Sequence, residues 1–244
     1  MAKIEIRNIS KSYRKKQALA DFCADFESGV YGLVGPNGAG KTTLMKILSG
    51  LMKPDRGKIS LSGKDMKKMG REYYRHISYM PQDFGFYPFY TAMETMKYYR
   101  ILKDIDCDEK QLKEILEKVN LGEVYDNKVK TFSGGMKRRL GIAVTMIGCP
   151  DFMIFDEPTA GLDPEERIRY KELIREKGKT STVIISTHIL SDVDSVCDKV
   201  VFMDRGKLIK ITDKISHNDK LTDELEDKYM EMIGAAAGRQ EENI

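Results

Sequence analysis

Short apolar runs alternate along the chain with segments whose apolar positions recur every three to four residues, which is how an α/β protein reads. Ile4 and Ile6 alternate with charged residues and predict a half-exposed strand. Val30-Tyr31-Gly32-Leu33-Val34 is a continuous apolar run that stops at glycine, the pattern of a buried strand. After Lys41, residues Leu44, Ile47, Leu48 and Leu51 fall at i, i+3, i+4 and i+7 and predict one face of a helix. A second such stripe is Leu112, Ile115, Leu116 and Val119, with Asp108 as its N-cap. A third follows Gly135 through Met136, Leu140, Val144 and Ile147. Phe152–Phe155 and Thr182–Ser186 read as two more buried strands. Between them Asp163-Pro164 opens a helix that ends near Gly178. Val200–Met203, a turn at Asp204-Arg205-Gly206-Lys207, and Leu208-Ile209 read as a hairpin. From about Pro88 to Gly148 the pattern is almost entirely helical, which predicts a helical subdomain inserted into a sheet-based core. The core domain is expected over 1–214, with a polar tail at 215–244 whose end, from Gly234, is mobile.

Composition narrows the class. The chain has 244 residues, 41% hydrophobic and 32% charged, a soluble globular balance long enough for one or two domains with their own cores. Lys+Arg 41 against Asp+Glu 38 leaves a net charge of +3, too small an excess for the basic footprint of a nucleic-acid binder. No run reaches the roughly 18 apolar residues of a membrane span. The start, Met1 to Arg7, carries charges where a secretory signal would be apolar. Cys23, Cys107, Cys149 and Cys197 are far apart and form no CxxC pair, so neither a zinc site nor a disulfide framework is expected, and the cytosol is the expected compartment.

Gly35-Pro36-Asn37-Gly38-Ala39-Gly40-Lys41-Thr42 fits G-x-x-x-x-G-K-[ST], directly after one strand and before one helix. Glycines let successive backbone N–H groups turn inward around a phosphate, and the helix N-terminus adds partial positive charge. Lys41 can reach the β- and γ-phosphates of a nucleotide, and the Thr42 hydroxyl can hold magnesium. Asp156 ends the Phe152–Phe155 strand, where the ligand crevice of an open α/β sheet lies, and can complete the magnesium site. Glu157 follows on the other side of the pleat, toward a water in line with the γ-phosphate. Ser133-Gly134-Gly135 before a helix is a second anion site, made of a hydroxyl and uncrowded backbone N–H groups.

These motifs, with four others in fixed order, make the chain resemble the ATP-binding cassette (ABC) ATPases over nearly its whole length. Tyr13 is similar to the aromatic that stacks on adenine, and Gln82 in Met80-Pro81-Gln82 to the glutamine between core and helical subdomain. Phe132-Ser133-Gly134-Gly135-Met136 resembles the Leu-Ser-Gly-Gly-Gln signature; Met136 in place of glutamine loses a polar contact, while Phe132 keeps an apolar anchor. Gly161-Leu162-Asp163 resembles the loop after the acidic pair, and His188 the switch histidine. Each has an ordinary alternative: a packed aromatic for Tyr13, a turn residue for Gln82, a capping or surface histidine for His188. Lys137-Arg138-Arg139 reads as a solvated helix face for at least one of its three residues.

The resemblance implies a P-loop NTPase core, a mostly parallel sheet with helices on both faces, an antiparallel N-terminal β subdomain and the helical insertion. It implies ATP and Mg2+, with the phosphates held by Gly35, Asn37, Gly38, Ala39, Gly40, Lys41, Thr42 and Thr43 and the metal by Thr42, Gln82 and Asp156. Glu157 would be general base, His188 would sense the γ-phosphate, and Lys41 and Gln82 would act in the reaction. Ser133, Gly134, Gly135 and Asp163 would act in trans on ATP held by a second copy, which makes a two-fold dimer. The implied partner is a separate transmembrane permease subunit at the inner face of the membrane, docked near Phe84, Phe86, Tyr87, Phe89 and Tyr90. The Ser-Gly-Gly-Met-Lys-Arg-Arg spelling resembles exporters of drugs, peptides or polysaccharides. A soluble ABC ATPase acting on ribosomes or DNA is the alternative; such proteins usually carry a second cassette or long coiled coils, and neither is in the sequence. A kinase would have no use for a second anion loop.

Overall fold

The computed structural model describes residues 3–14, 16–187 and 190–213. In chain order its strands are β1 (Ile4–Tyr13), β2 (Lys16–Phe26), β3 (Gly29–Val34), β4 (Arg56–Leu61), β5 (Lys64–Asp65), β6 (Ile77–Met80), β7 (Phe152–Asp156), β8 (Thr182–Ser186), β9 (Lys199–Asp204) and β10 (Lys207–Asp213). Its helices are α1 (Lys41–Leu48), the single turns α2 (Met66–Met69) and α3 (Tyr73–His76), α4 (Ala92–Leu102), α5 (Glu109–Lys118), α6 (Gly134–Thr145), α7 (Pro164–Gly178) and α8 (Leu190–Val196).

The antiparallel sheet runs β2-β1-β4-β5. The larger sheet runs β10-β9-β3-β8-β7-β6, with β9, β3, β8, β7 and β6 parallel and β10 folded back as a hairpin. Every residue of β7 and β8 is buried, because helices cover one face of the larger sheet and the antiparallel sheet with α1 covers the other. The pleat sorts the side chains: Met153, Phe155, Val183 and Ile185 enter the core under α6 and α7. Phe152, Ile154 and Ile184 enter the core shared with Ile4, Phe22 and Leu44.

Between β6 and β7 the described elements are helical apart from one isolated bridge, Thr91 to Lys128. Asp108 caps α5 as the sequence predicts, in a reciprocal box with Gln111. Leu51 does not continue the α1 stripe. Ser49 is the C-cap, Gly50 turns the chain at φ +77, and Leu51 is 70% exposed. Lys137 is solvated, whereas Arg138 and Arg139 are half-buried. Arg139 pairs with the buried Glu166 of α7 at 3.0 Å, and Asn120 donates to the same carboxylate at 2.7 Å, which fastens the end of α5 and α6 onto α7. The tail from 215 lies outside the described residues.

Lys103, at the C-terminus of α4, donates to Ser78 Oγ of β6 at 2.5 Å and to the Val144 carbonyl of α6 at 3.3 Å. Burial pushes its ammonium down to about 8 from 10.5. Between these values the unfolded chain holds a proton that the folded one has released, so stability rises with pH from about 8 toward 10. Denaturant titrations at pH 7.5, 8.5 and 9.5 should show this rise, and Lys103→Met should flatten it while matching or exceeding the wild type at pH 7.5. An equal slope in both proteins would contradict the assignment.

Candidate functional site

Register places the site. Leu33 of β3, Ser186 of β8 and Asp156 of β7 pair in one row across three parallel strands. The loop leaving β3 and the carboxylate ending β7 therefore meet at the carboxyl edge of the sheet. Gly35 begins the loop against the β9–β10 turn. A Cβ there would lie 2.2 Å from the Met203 carbonyl oxygen, so only glycine lets the loop start at this point. The cleft above this row encloses about 700 Å3, in the size range of small-molecule sites.

Tyr13, Gly35, Asn37, Gly38, Ala39, Gly40, Lys41, Thr42, Thr43, Gln82, Asp156 and Glu157 all line this one cleft, although they lie far apart in the sequence. The Lys41 ammonium donates to the carbonyls of Gly35 at 2.6 Å and Pro36 at 3.2 Å, which holds it inside the curve of its own loop. Burial lowers its pKa, and the Glu157 and Asp156 carboxylates oppose that. Asp156 is 3% exposed and its pKa is raised, first by burial; hydrogen bonds from Ser186 and Thr42 act in the opposite direction. Thr42 Oγ1 donates to Asp156 Oδ2 at 3.4 Å.

Glu157 departs from the pleat expected of it. The strand ends at Asp156, and Glu157 takes φ +53, a left-handed conformation that is uncommon for a non-glycine residue, with its N–H donating to the Ser186 carbonyl at 2.9 Å. The turn, rather than strand alternation, carries its side chain into the cleft. Lys16, Ala18, Ser186 and Thr187 also line the cleft and were not singled out by the sequence. Lys16 arrives only through its register with Tyr13 across the β1–β2 turn, and Ser186 only through β8 lying between β3 and β7.

Ser133, Gly134, Gly135 and Asp163 do not line this cleft. Ser133 is the exposed N-cap of α6 and accepts from the Met136 N–H at 3.2 Å, so the residue in the glutamine position still supplies a capping amide. Phe132 is buried, as an apolar anchor should be. Asp163 caps α7 through the Glu166 N–H at 2.9 Å, and a Cβ on Gly135 would lie 3.4 Å from the Gly161 carbonyl. The signature and the Gly161–Asp163 loop thus form one exposed ledge. His188 lies outside the described residues.

Of the aromatic group, Tyr87, Phe89 and Tyr90 are exposed, at 54%, 68% and 37%. Phe84 and Phe86 pack against the core, edge-on to each other at 5.3 Å. No described helix is long and apolar enough to cross a membrane.

A phosphate loop at the edge of a parallel sheet, with a buried carboxylate beside its threonine, defines a P-loop nucleoside triphosphatase. A family model described as ABC transporter matches residues 25–160. The linearmycin resistance ATP-binding protein LnrL of Bacillus subtilis (strain 168) is 35% identical over 215 residues, covering 86% of this chain and 69% of LnrL. The lantibiotic transport ATP-binding protein SrtF of Streptococcus pyogenes is 38% identical over 208 residues, covering 84% of this chain and 89% of SrtF. A solved ATP-binding subunit of an ABC transporter superposes with a TM-score of 0.79 at 28% identity, over 86% of this chain and 89% of that one. The cassette MJ0796, solved as a dimer in a post-hydrolysis state with ADP and Pi, superposes with a TM-score of 0.79 at 21% identity, over 88% and 100% of the two chains. The chain belongs to the ABC transporter family, as an ATP-binding subunit that hydrolyses ATP to power transport.

Gly35→Ala should test the close approach at the loop. Overpacking of this kind costs about 1–3 kcal/mol. The melting temperature should fall, and nucleotide affinity should fall at least about tenfold as the loop shifts. Unchanged binding by calorimetry would show that the loop tolerates a side chain there.

Proposed function

We propose that this subunit closes on ATP as a head-to-tail dimer of two copies and drives export through a separate transmembrane subunit at the inner face of the membrane. One observation carries the reading: the phosphate cleft and the Ser133–Gly135 ledge are both accessible but lie apart on the same chain. Each chain then offers two half-sites, and two-fold pairing completes both. MJ0796 is dimeric, and SrtF is named for lantibiotic transport, which supports a dimer coupled to transport here. Residues 1–214 would act as one cassette, with the helices of about 88–148 carrying the ledge.

In this reading the loop N–H groups of Gly38, Ala39 and Gly40, Lys41 and the α1 N-terminus stabilise the charge that builds on the phosphates. Tyr13, 45% exposed at the cleft rim, offers its ring to the base. Thr42 and Asp156 fit magnesium: the hydroxyl and the carboxylate are both oxygen donors, and this ion takes one or two protein ligands beside phosphate oxygens. Gln82 would extend that shell. When bound, the ion neutralises charge on the phosphate oxygens. Glu157 accepts the proton of the attacking water or orients it, with the opposite charge of Lys41 near it. The exposed rings of Tyr87, Phe89 and Tyr90 form the seat of the membrane subunit, next to Gln82.

Glu157→Gln should keep ATP affinity and slow steady-state hydrolysis by about two or more orders of magnitude. With Mg-ATP the same variant should sediment as a dimer, and adding Ser133→Arg should abolish that dimer while nucleotide affinity is retained. A dimer that ignores both ATP and Ser133 would refute the trans arrangement.

Tyr87→Glu and Phe89→Glu should release the chain from membranes that contain its transmembrane subunit while altering intrinsic ATPase activity less than twofold. Loss of one buried aromatic anchor weakens an interface by about 2 kcal/mol or more, roughly thirtyfold. Co-purification reads the outcome, and retention of both variants would move the docking seat elsewhere.

A further inference from the structure

Arg138 lies outside the phosphate cleft, and neither the loop nor the acidic pair requires it. Its side chain nevertheless joins three separate segments. From α6, Nη1 donates to the Gln82 carbonyl at 3.0 Å and Nε donates to the Ala160 carbonyl at 3.2 Å. Gln82 lies on the cleft wall, and Ala160 lies between Glu157 and the Gly161–Asp163 loop. The guanidinium also lies over the Phe84 ring, 5.3 Å from its centre. Phe84 in turn sits against α6 at Gly141, where a Cβ would come within 2.7 Å of the ring.

Burial lowers the Arg138 pKa, and the charges of Asp83, Glu157 and Asp156 oppose this. A guanidinium stays charged under such conditions, and its planar fork fixes the directions in which it serves two carbonyls, whereas an ammonium is a rotatable point charge on a flexible stem. Arg138 is five residues after Ser133 on the same helix. A displacement of the α6 N-terminus is therefore passed to both carbonyls through one rigid group.

We propose that Arg138 is the positioning residue that makes the signature helix, the Gln82 segment and the Glu157–Asp163 loop move as one unit. Engagement of Ser133 with nucleotide on the other copy then sets Gln82 and Glu157 on its own chain. This rests on the trans reading above for the cooperative part alone; the bridge within one chain stands without it. Phe84 links the same unit to the aromatic seat beside it, so a membrane subunit resting there would bear on Glu157 through Arg138.

The test is steady-state ATP hydrolysis against ATP concentration, read with nucleotide affinity and melting temperature, for wild type, Arg138→Gln, Arg138→Lys and Ser133→Arg. Arg138→Gln should lower kcat about tenfold, as expected for losing hydrogen bonds to a charged group, with ATP affinity held within about twofold. Its dependence on ATP should flatten toward a Hill coefficient of one. Arg138→Lys should restore the melting temperature but not kcat, because a flexible ammonium does not hold the two carbonyls in the fixed relation that the fork imposes. Unchanged kcat in Arg138→Gln, full rescue by lysine, or a parallel fall of kcat, affinity and melting temperature would each overturn the proposal. If Ser133→Arg leaves cooperativity intact while Arg138→Gln still separates kcat from affinity, the trans reading fails and the bridge survives.

Discussion

Leu33, Ser186 and Asp156 stand side by side across β3, β8 and β7, and the rest of the site depends on that pairing. A slip of one residue in either strand pair would turn Asp156 onto the opposite face of the sheet, away from Thr42. The pairing is fixed because these strands are buried on both faces. Phe152 and Ile154 fill one core while Met153 and Phe155 fill the other, so no alternative register buries both sets. The hydrophobic demand of two cores thus aims a carboxylate at a phosphate loop contributed by a segment 114 residues away.

A second consequence is electrostatic. Lys41, Asp156 and Arg138 are each drawn partly out of water, and each has opposite charge near it. Burial lowers the pKa of Lys41 and Arg138 and raises that of Asp156, and in each case a neighbouring opposite charge acts against the burial. Such a cluster is poised to take an anionic ligand with a divalent cation, since charges of both signs enter together. The left-handed turn at Glu157 is tolerated because the neighbouring strand supplies a hydrogen bond to its N–H.

The phosphate loop, the acidic pair, the Asp108 and Asp163 caps and the buried strands were legible in the sequence, since each depends on neighbours within a few residues. Leu51 was misread because periodicity does not register the turn at Gly50 that ends α1. Glu157 was given the right cleft by the wrong route, because alternation presumes a strand that stops one residue earlier. Lys16, Ser186 and the split between Phe84 and Tyr87 depend on sheet order and on packing against α6, which no local pattern carries. Lys137-Arg138-Arg139 reads as solvated for at least one residue, and Lys137 is that residue, while Arg138 and Arg139 are half-buried against partners. A helix face is polar for two reasons, water or partners, and sequence alone does not separate them.

That distinction bears on how the cassette would act on the proposed membrane subunit. The N-terminal half of α6 is fastened by polar contacts, Arg139 to Glu166 on one side and Arg138 to two carbonyls on the other, whereas its C-terminal half is buried in the core through Leu140, Ile142 and Ala143. An apolar interface resists sliding because any shift opens unfilled volume, whereas hydrogen-bonded pairs can pivot and still keep their partners. The end of α6 that carries Ser133 is therefore joined to the nucleotide edge by contacts that can reorient, while its buried half holds the helix on the core. On the proposed reading, ATP bridging two copies acts on that end of α6, and Arg138 passes the displacement to Gln82 and to Phe84, beside the seat formed by Tyr87, Phe89 and Tyr90. A partner seated on those rings would be displaced without any element of the parallel sheet having to move.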